Sequence, residues 1–124
     1  MPITLRVNDD RDRCDVPEHD ARCDDTRGRD MTGSQDTVRA ALLQTDWTGS
    51  KDTMIDKHEA AVHEAAKQGA QVMCFQELFY GPYFCQVQDP QYYSYTEPIP
   101  DGPTTKRFQS VAKELGMVLV LPMY

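Results

Sequence analysis

The sequence predicts an α/β fold in which the strands run parallel. Two short apolar runs, 72–77 and 117–121, have the length and composition of strands that are covered on both faces. Each run follows a segment in which apolar residues recur with helical spacing, at 51–68 and at 104–115. Strands that alternate with helices in this order are typical of consecutive βαβ units, whose strands are parallel and share one sheet.

The first strand and helix of this pattern are predicted at 38–44 and 51–68. The strand is apolar, although its two alanines are weak strand formers. Ser50 is a suitable N-cap for the helix, and Asp52 suits its first turn. Gly69 can end the helix in the left-handed conformation. The apolar stripe that we expect to be buried contains Met54, Ile55, His58, Ala61, Val62, Ala65 and Ala66.

Residues 77–103 show neither helical nor strand spacing and are rich in proline, glycine and tyrosine. A loop of this length inside a compact domain is usually functional. Thr104 or Thr105 is predicted to cap the second helix, and Gly116 to terminate it. The third strand is predicted at 117–121, and Pro122 closes it.

Residues 1–36 differ from the rest of the chain, and we interpret them as a disordered acidic and arginine-rich leader. Positions 1–30 carry nine acidic residues and six arginines, and their few apolar residues follow no period. Such a segment buries too little surface to offset the entropy lost on ordering. Met31 is a candidate for the true start, which the N-terminal mass of the natural protein would test. The domain itself is expected at 37–124.

The composition excludes several classes of partner and cofactor. A net charge of −7 argues against nucleic acid and anionic membrane surfaces. No apolar stretch is long enough to span a membrane, and no secretory signal is recognisable, so a cytoplasmic location is expected. We expect Cys14, Cys23, Cys74 and Cys85 to be free thiols. No metal or cofactor is implied, since Cys14, His19 and Cys23 match no closed ligand pattern and no phosphate-binding loop is present.

Glu77 is the candidate catalytic residue, because it ends a predicted parallel strand. Chemistry in open parallel sheets collects beyond the carboxyl ends of the strands, where a carboxylate can act in proton transfer. The alternative is a structural carboxylate that pairs with an arginine or caps a turn. Tyr80, Tyr83 and Phe84 are predicted to line a substrate pocket or to anchor the loop by burial. Cys85 is interpreted as a pocket-wall or buried thiol, since neither base nor cation is evident beside it.

Residues 38–124 resemble the first part of the nitrilase, or carbon–nitrogen hydrolase, superfamily. The segment Phe75-Gln76-Glu77-Leu78 is similar to the motif that holds the family's catalytic glutamate. Many members have proline before that glutamate, where this chain has Gln76. Together with Tyr83-Phe84-Cys85, the motif is more similar to the β-ureidopropionase and N-carbamoyl amidohydrolase branch. The other similar segments are the strand 38–44, the helix from Lys51 with Gly69-Ala70, and 117–124.

The resemblance implies a Cys–Glu–Lys hydrolase that cleaves a small-molecule amide or N-carbamoyl substrate. In such an enzyme cysteine attacks the substrate carbon, glutamate takes the thiol proton and later activates water, and lysine stabilises the oxyanion. Only the glutamate maps onto this chain, at Glu77, so the chain alone is expected to be inactive. The resemblance further implies the N-terminal part of an α-β-β-α sandwich, and a homo-oligomer for the full-length form.

A second hypothesis remains open, in which the chain is a truncated non-catalytic remnant or an interaction module. With the usual handedness, both crossover helices lie on the same face of a three-stranded sheet. The other face would then expose valine, leucine and methionine side chains, and a partner could cover them.

Overall fold

The computed structural model describes residues 4–7, 37–86 and 89–124, with residues 4–7 described as backbone only. These residues form one four-stranded sheet in the order β1-β2-β3-β4, together with helices. The strands are β1 (Thr4–Val7), β2 (Ala40–Gln44), β3 (Val72–Cys74) and β4 (Val118–Val120), the α-helices are α1 (Lys51–Lys67) and α2 (Pro103–Leu115), and two 3₁₀ helices span Phe84–Gln86 and Pro90–Tyr95.

The predicted α/β architecture is confirmed by the pairing of β2, β3 and β4. These three strands are parallel, and their register places Leu42, Cys74 and Val120 side by side. Each crossover between them contains one α-helix, α1 or α2, and the second also contains the two 3₁₀ helices. The carboxyl ends of all three strands therefore lie at the same edge of the sheet, where Glu77 follows β3.

β1 pairs antiparallel with β2, and Leu5 lies opposite Leu43. The structure therefore differs from the predicted disorder at these four residues, whereas 8–36 lie outside the described residues. Without β1, β2 would be the edge strand of the parallel sheet and would have unpaired backbone N–H and C=O groups. A short extended segment can form hydrogen bonds with these groups regardless of its side chains. Four residues are too few to show a period in the sequence.

The helix ends follow the predicted signals at both ends of α1 and at the C-terminus of α2, where Gly116 is left-handed with a φ of 64°, and they depart from them at the N-terminus of α2. The Ser50 side chain accepts a hydrogen bond from the Thr53 amide (3.2 Å), and Gly69 follows the helix with a φ of 81°. At α2 the predicted threonine caps are wrong, because the helix begins at Pro103 and its N-cap is Gly102. Proline is favoured at the first helical position, where its missing N–H costs no hydrogen bond.

Both α-helices cover the same face of the sheet. Ala41, Leu43 and Met73 point into this side and are buried, whereas their neighbours along each strand point away. The helices contribute Met54, Val62 and other members of the predicted stripe. The core that results contains Ala41, Leu43, Met54, Ile55, Ala61, Val62, Ala65, Ala70, Met73, Phe75, Phe79, Tyr80, Phe108, Val111 and Met117.

The opposite face of the sheet is open, as the handedness argument predicted. Leu42 is 60% exposed, Val118 61% and Val120 46%. Cys74 lies between Leu42 and Val120 in the register and is only half-buried, so the prediction that this strand is covered on both faces is wrong for the described structure. The methionines of the strand regions differ from the expectation too, because Met73 and Met117 are buried on the covered face.

We predict that the isolated chain binds an environment-sensitive hydrophobic dye through this open face, because contiguous exposed apolar side chains are uncommon on monomers. Dye fluorescence should fall by about twofold or more in the double variant Leu42→Thr/Val120→Thr. Val38→Thr is the matched control, since Val38 is equally exposed but precedes the strand. Equal fluorescence of the control and the double variant would contradict the prediction that the dye binds to the open face of the sheet.

His58 is a fully buried titratable group in the core. Its Nδ1 donates to the Met54 carbonyl oxygen (2.8 Å), while its Nε2 has no hydrogen-bond partner among the described residues. The Phe75 and Phe79 rings lie with their centroids 4.9 Å from the imidazole. Burial is the largest influence and lowers the pKa of His58; the nearby Lys57 adds to this, and the hydrogen bond to Met54 opposes it.

We predict that His58 makes the protein less stable in acid. Its pKa is lower in the folded state, so the unfolded chain binds more protons below the unfolded value of about 6.5, and stability falls as the pH drops. The slope between the two pKa values is at most about 1.4 kcal/mol per pH unit. Urea unfolding from pH 7.5 to 5 should show this slope in the wild type and in His63→Gln. Its persistence in His58→Gln would exclude His58 as the cause.

Candidate active site

Two glutamine side chains fix the parallel pair of β2 and β3 at its two ends. At the carboxyl end, Gln76 Oε1 accepts a hydrogen bond from the Thr45 backbone N–H (2.6 Å). At the other end, Gln71 Oε1 accepts one from the Arg39 N–H (3.1 Å). Gln76 occupies the position where the resemblance expects proline, and here its side chain joins the two strand ends beside Glu77.

Glu77 begins a tight turn that is separated from the end of β3 by Phe75 and Gln76. Leu78 has a φ of 52°, in the left-handed region that is strained for a residue with a branched side chain. Phe79 donates its N–H to the Pro122 carbonyl (3.3 Å), and Gly81 donates to the Leu78 carbonyl (3.1 Å). Phe79 is buried, whereas Glu77 is exposed. The turn therefore presents the Glu77 carboxylate outward at the carboxyl edge of the sheet.

Tyr83 lies close to both Glu77 and Cys85. The charge of Glu77 is the largest influence that raises the pKa of the Tyr83 phenol, and Cys85 adds to it. Among the described residues, no hydrogen bond or ion pair engages the Glu77 carboxylate. The alternative of a structural ion pair with arginine thus finds no support in the described part of the chain.

A cavity of about 690 Å³ lies beside the turn. Phe84, one of the predicted pocket residues, lines it and stacks on Tyr124 with ring centroids 5.2 Å apart. Most of the wall is aromatic or aliphatic, which is typical of small-molecule sites. The lining residues are Leu78, Phe84, Cys85, Asp89, Pro90, Tyr92, Tyr93, Thr96, Met123 and Tyr124.

The other two predicted pocket residues lie elsewhere. Tyr83 is exposed beside Glu77, and Tyr80 is entirely buried. The Tyr80 ring stacks on Tyr124 at 5.1 Å and packs edge-on against Phe79 at 5.0 Å. Tyr80 thus has the packing that a loop anchor requires. Contact of Tyr80, Tyr83 or Phe84 with substrate stays a prediction.

Tyr124 is a site residue that the sequence pattern did not indicate. Its hydroxyl donates to the Pro82 carbonyl, and its backbone N–H donates to the Tyr80 hydroxyl (3.2 Å). Burial is the largest influence and raises the pKa of Tyr124 to about 12. Tyr124 lies 44 residues from Tyr80 and 42 from Pro82, its two hydrogen-bond partners, so no local signal connects them.

A charge pair at the same edge was also absent from the sequence predictions. Lys51 Nζ lies 2.6 Å from Glu97 Oε1, and the Glu97 side chain is only 5% exposed. Burial, the largest influence, would raise the pKa of Glu97, but the hydrogen bonds from Lys51 and Thr104 outweigh it and the net pKa is lowered. Neither residue shows a periodic or motif signal, because the two are 46 positions apart.

The described residues contain no group of three or more potential metal ligands close enough to hold an ion. Cys14, His19 and Cys23, which were considered at the outset, lie outside the described residues. No described helix is both long and apolar enough to cross a membrane.

A family model for carbon-nitrogen hydrolases matches residues 39–124. This match includes β2, β3 and β4, the Glu77 turn and both α-helices. The chain therefore belongs to the carbon–nitrogen hydrolase family, as the resemblance predicted.

Individual relatives agree with this assignment. The chain is 38% identical over 87 residues to an N-carbamoylputrescine amidase from Solanum lycopersicum, covering 70% of this chain and 29% of that protein. It is 30% identical over 70 residues to a beta-ureidopropionase from Arabidopsis thaliana, covering 56% and 17%. A carbon-nitrogen hydrolase structure from Helicobacter pylori G27 matches with a TM-score of 0.55 and 24% identity, covering 66% of this chain and 28% of that one. The chain thus spans less than a third of these proteins, and the structural match confirms the fold.

We predict that Gly81→Ala is destabilising because of the packing of Tyr124. A Cβ atom at Gly81 would meet the Tyr124 ring, with Cζ at 2.6 Å and Cε2 at 2.8 Å. Overpacking of this kind costs about 1–3 kcal/mol in the free energy of unfolding. Chemical denaturation should show this loss in the wild-type background and a smaller one in a Tyr124→Ala background. Equal losses in both backgrounds would assign the cost to the backbone instead.

Proposed function

We propose that Glu77 is the general base of a hydrolase that cleaves a linear amide or an N-carbamoyl group. The observation that carries the proposal is the position of its carboxylate. Glu77 is exposed on a strained turn at the carboxyl edge of a parallel sheet, beside a largely apolar cavity. Strained backbone conformations are concentrated at functional sites. Ligands of proteins with open α/β sheets bind beyond the carboxyl ends of the strands.

The proposed chemistry follows from what a free carboxylate can do there. Glu77 takes the proton of a cysteine thiol, and the thiolate attacks the carbonyl carbon. The protonated Glu77 then gives this proton to the departing nitrogen as the C–N bond breaks, so the amine or ammonia leaves and a thioester remains. The carboxylate next accepts a proton from water, whose oxygen attacks the thioester carbon, and Glu77 returns that proton to the sulfur as the C–S bond breaks. The family resemblance assigns the attacking cysteine and the lysine of the oxyanion site to positions that have no counterpart in this chain.

The substrate class is supported by the relatives and by the cavity wall. One relative is named for N-carbamoylputrescine and another for beta-ureidopropionate chemistry. An apolar and aromatic wall suits the methylene groups and the flat amide or carbamoyl group of such compounds. We further propose that the protein is located in the cytoplasm and that its full-length form is a homo-oligomer.

A second candidate function is a non-catalytic interaction module. The open sheet face with Leu42, Val118 and Val120 favours it, because parallel sheets are normally covered on both faces. In this case the Glu77 turn would have no catalytic role, and the sheet would be completed by a partner.

We predict that Glu77→Gln removes activity without removing the fold. Residues 38–124 would replace the matched segment of the tomato N-carbamoylputrescine amidase, and ammonia release from N-carbamoylputrescine would be measured. Turnover should fall by about 10²–10⁴-fold, the usual contribution of a general base. Glu114→Gln is the control, since Glu114 is an exposed carboxylate on α2.

The same assay applied to the 124-residue chain alone separates the two candidate functions. We expect no hydrolysis above the rate without protein, because the nucleophile of the mechanism has no counterpart here. Activity of the chain alone that Glu77→Gln abolishes would show that this expectation is wrong. Unchanged turnover of the hybrid enzyme carrying Glu77→Gln would remove Glu77 from the mechanism.

A further inference from the structure

The Glu97 carboxylate joins the N-terminal ends of both α-helices. One oxygen accepts a hydrogen bond from the Thr104 backbone N–H (2.8 Å), and the other accepts one from the Thr104 hydroxyl (2.6 Å). The N-cap of α2 is Gly102, which has no side chain to satisfy this N–H. Glu97 therefore caps α2 from outside the helix, and its contact with Lys51 connects it to the first residue of α1.

The Lys51 ammonium group has three partners. Besides Glu97, it donates to the Tyr95 carbonyl oxygen (3.1 Å) and lies 4.5 Å from the centroid of the Tyr80 ring. An ammonium over an aromatic face is attracted by the ring quadrupole, and the attraction grows as water is excluded. Tyr80 is entirely buried. Lys51 and Tyr80 therefore form a direct cation–π contact.

Tyr80 belongs to the turn that Glu77 begins. Its ring packs edge-on against Phe79 and stacks on Tyr124, so a displaced Tyr80 displaces the backbone of the turn. The turn has little freedom to absorb such a shift, because Leu78 is already strained. A contact path therefore runs from Glu97 through Lys51 and Tyr80 to the segment that orients Glu77.

Stabilisation alone is a weak explanation for this charge pair. Burial of two charges costs desolvation energy that their attraction often only offsets. The same two helices are also connected by Arg107, which binds Asp56 (2.7 Å) and Glu59. These two ion pairs of Arg107 are more exposed, and among the described residues they contact no residue of the Glu77 turn.

We propose that the Lys51–Glu97 pair positions the turn carrying Glu77, by holding the Tyr80 ring and both helix N-termini in one arrangement. Lys51 and Glu97 are positioning residues that act through Tyr80. The catalytic meaning of this inference rests on the proposed role of Glu77, but the structural effect can be measured without catalysis.

The test uses amide NMR and hydrogen exchange on the 124-residue chain. Glu97→Gln and Lys51→Met should shift the amide resonances of residues 78–81 and raise their exchange rates by about tenfold or more, as expected for local opening. Lys51→Arg, which keeps the charge, should restore much of the protection. Arg107→Gln is the matched control and should leave residues 78–81 unchanged.

Glu97→Gln is sufficient to test the proposal if Lys51→Met does not fold. Glutamine keeps the volume of glutamate and one oxygen that can accept from the Thr104 amide, so we expect this variant to fold. Resonances and exchange rates at 78–81 that match those of Arg107→Gln would overturn the proposal. A response confined to 98–104 would overturn it too, since the pair would then act only as a cap for α2.

A kinetic measurement then distinguishes this proposal from the proposed function. In the hybrid enzyme, Glu97→Gln should lower kcat by about tenfold or more with little change in KM, because a misplaced base affects the chemical step. If Glu77→Gln leaves turnover unchanged, the proposed function fails, while the NMR result still decides whether the pair positions the turn. An unchanged kcat for Glu97→Gln in a hybrid that needs Glu77 would contradict the positioning role.

Discussion

Burial of the aromatic side chains around the turn after β3 is the constraint on which the rest of the structure depends. Phe75 and Phe79 pack with ring centroids 4.9 Å apart, and Phe108 of α2 lies 5.1 Å from Phe75. Each such pair contributes about 0.5–1.5 kcal/mol beyond the area that it buries. The rings lie on either side of Glu77 in the sequence. Their burial fixes the ends of the turn, so Leu78 adopts its strained conformation and the carboxylate points outward.

The same cluster connects the helices to the site. His58 brings α1 against Phe75 and Phe79, while Phe108 brings α2 against the same two rings. Because each helix follows the carboxyl end of a parallel strand, the N-termini of both helices lie at the edge where the turn emerges. The Lys51–Glu97 pair then forms where the two N-termini approach each other. A buried charge pair is thus built on an apolar framework that brings its members together, as the cost of desolvation requires.

The open face of the sheet has a different meaning for each of the two proposed functions. Apolar strands covered on one side by both helices need a second layer on the other. In a carbon–nitrogen hydrolase of greater length, that layer would belong to the same domain, and this chain covers less than a third of its relatives. For an interaction module, a partner would supply it. The side chains involved, Leu42, Val118 and Val120, are the same in both cases.

The sequence by itself determined the elements whose signals are periodic or local. It placed both α-helices, the three parallel strands, the capping of α1, the end of α2 at Gly116 and Glu77 beyond the carboxyl end of β3. A helical or strand period depends only on residues that are close in the sequence, so it can be recognised without knowing what the element packs against. Only the tertiary structure decided the pairing of β1, the capping of α2 by Glu97, the burial of Tyr80 and the contacts of Tyr124. Each of these joins residues that are separated in the chain, and a single pair of distant residues leaves no period. Their contacts form because the apolar core brings them to the same edge of the sheet.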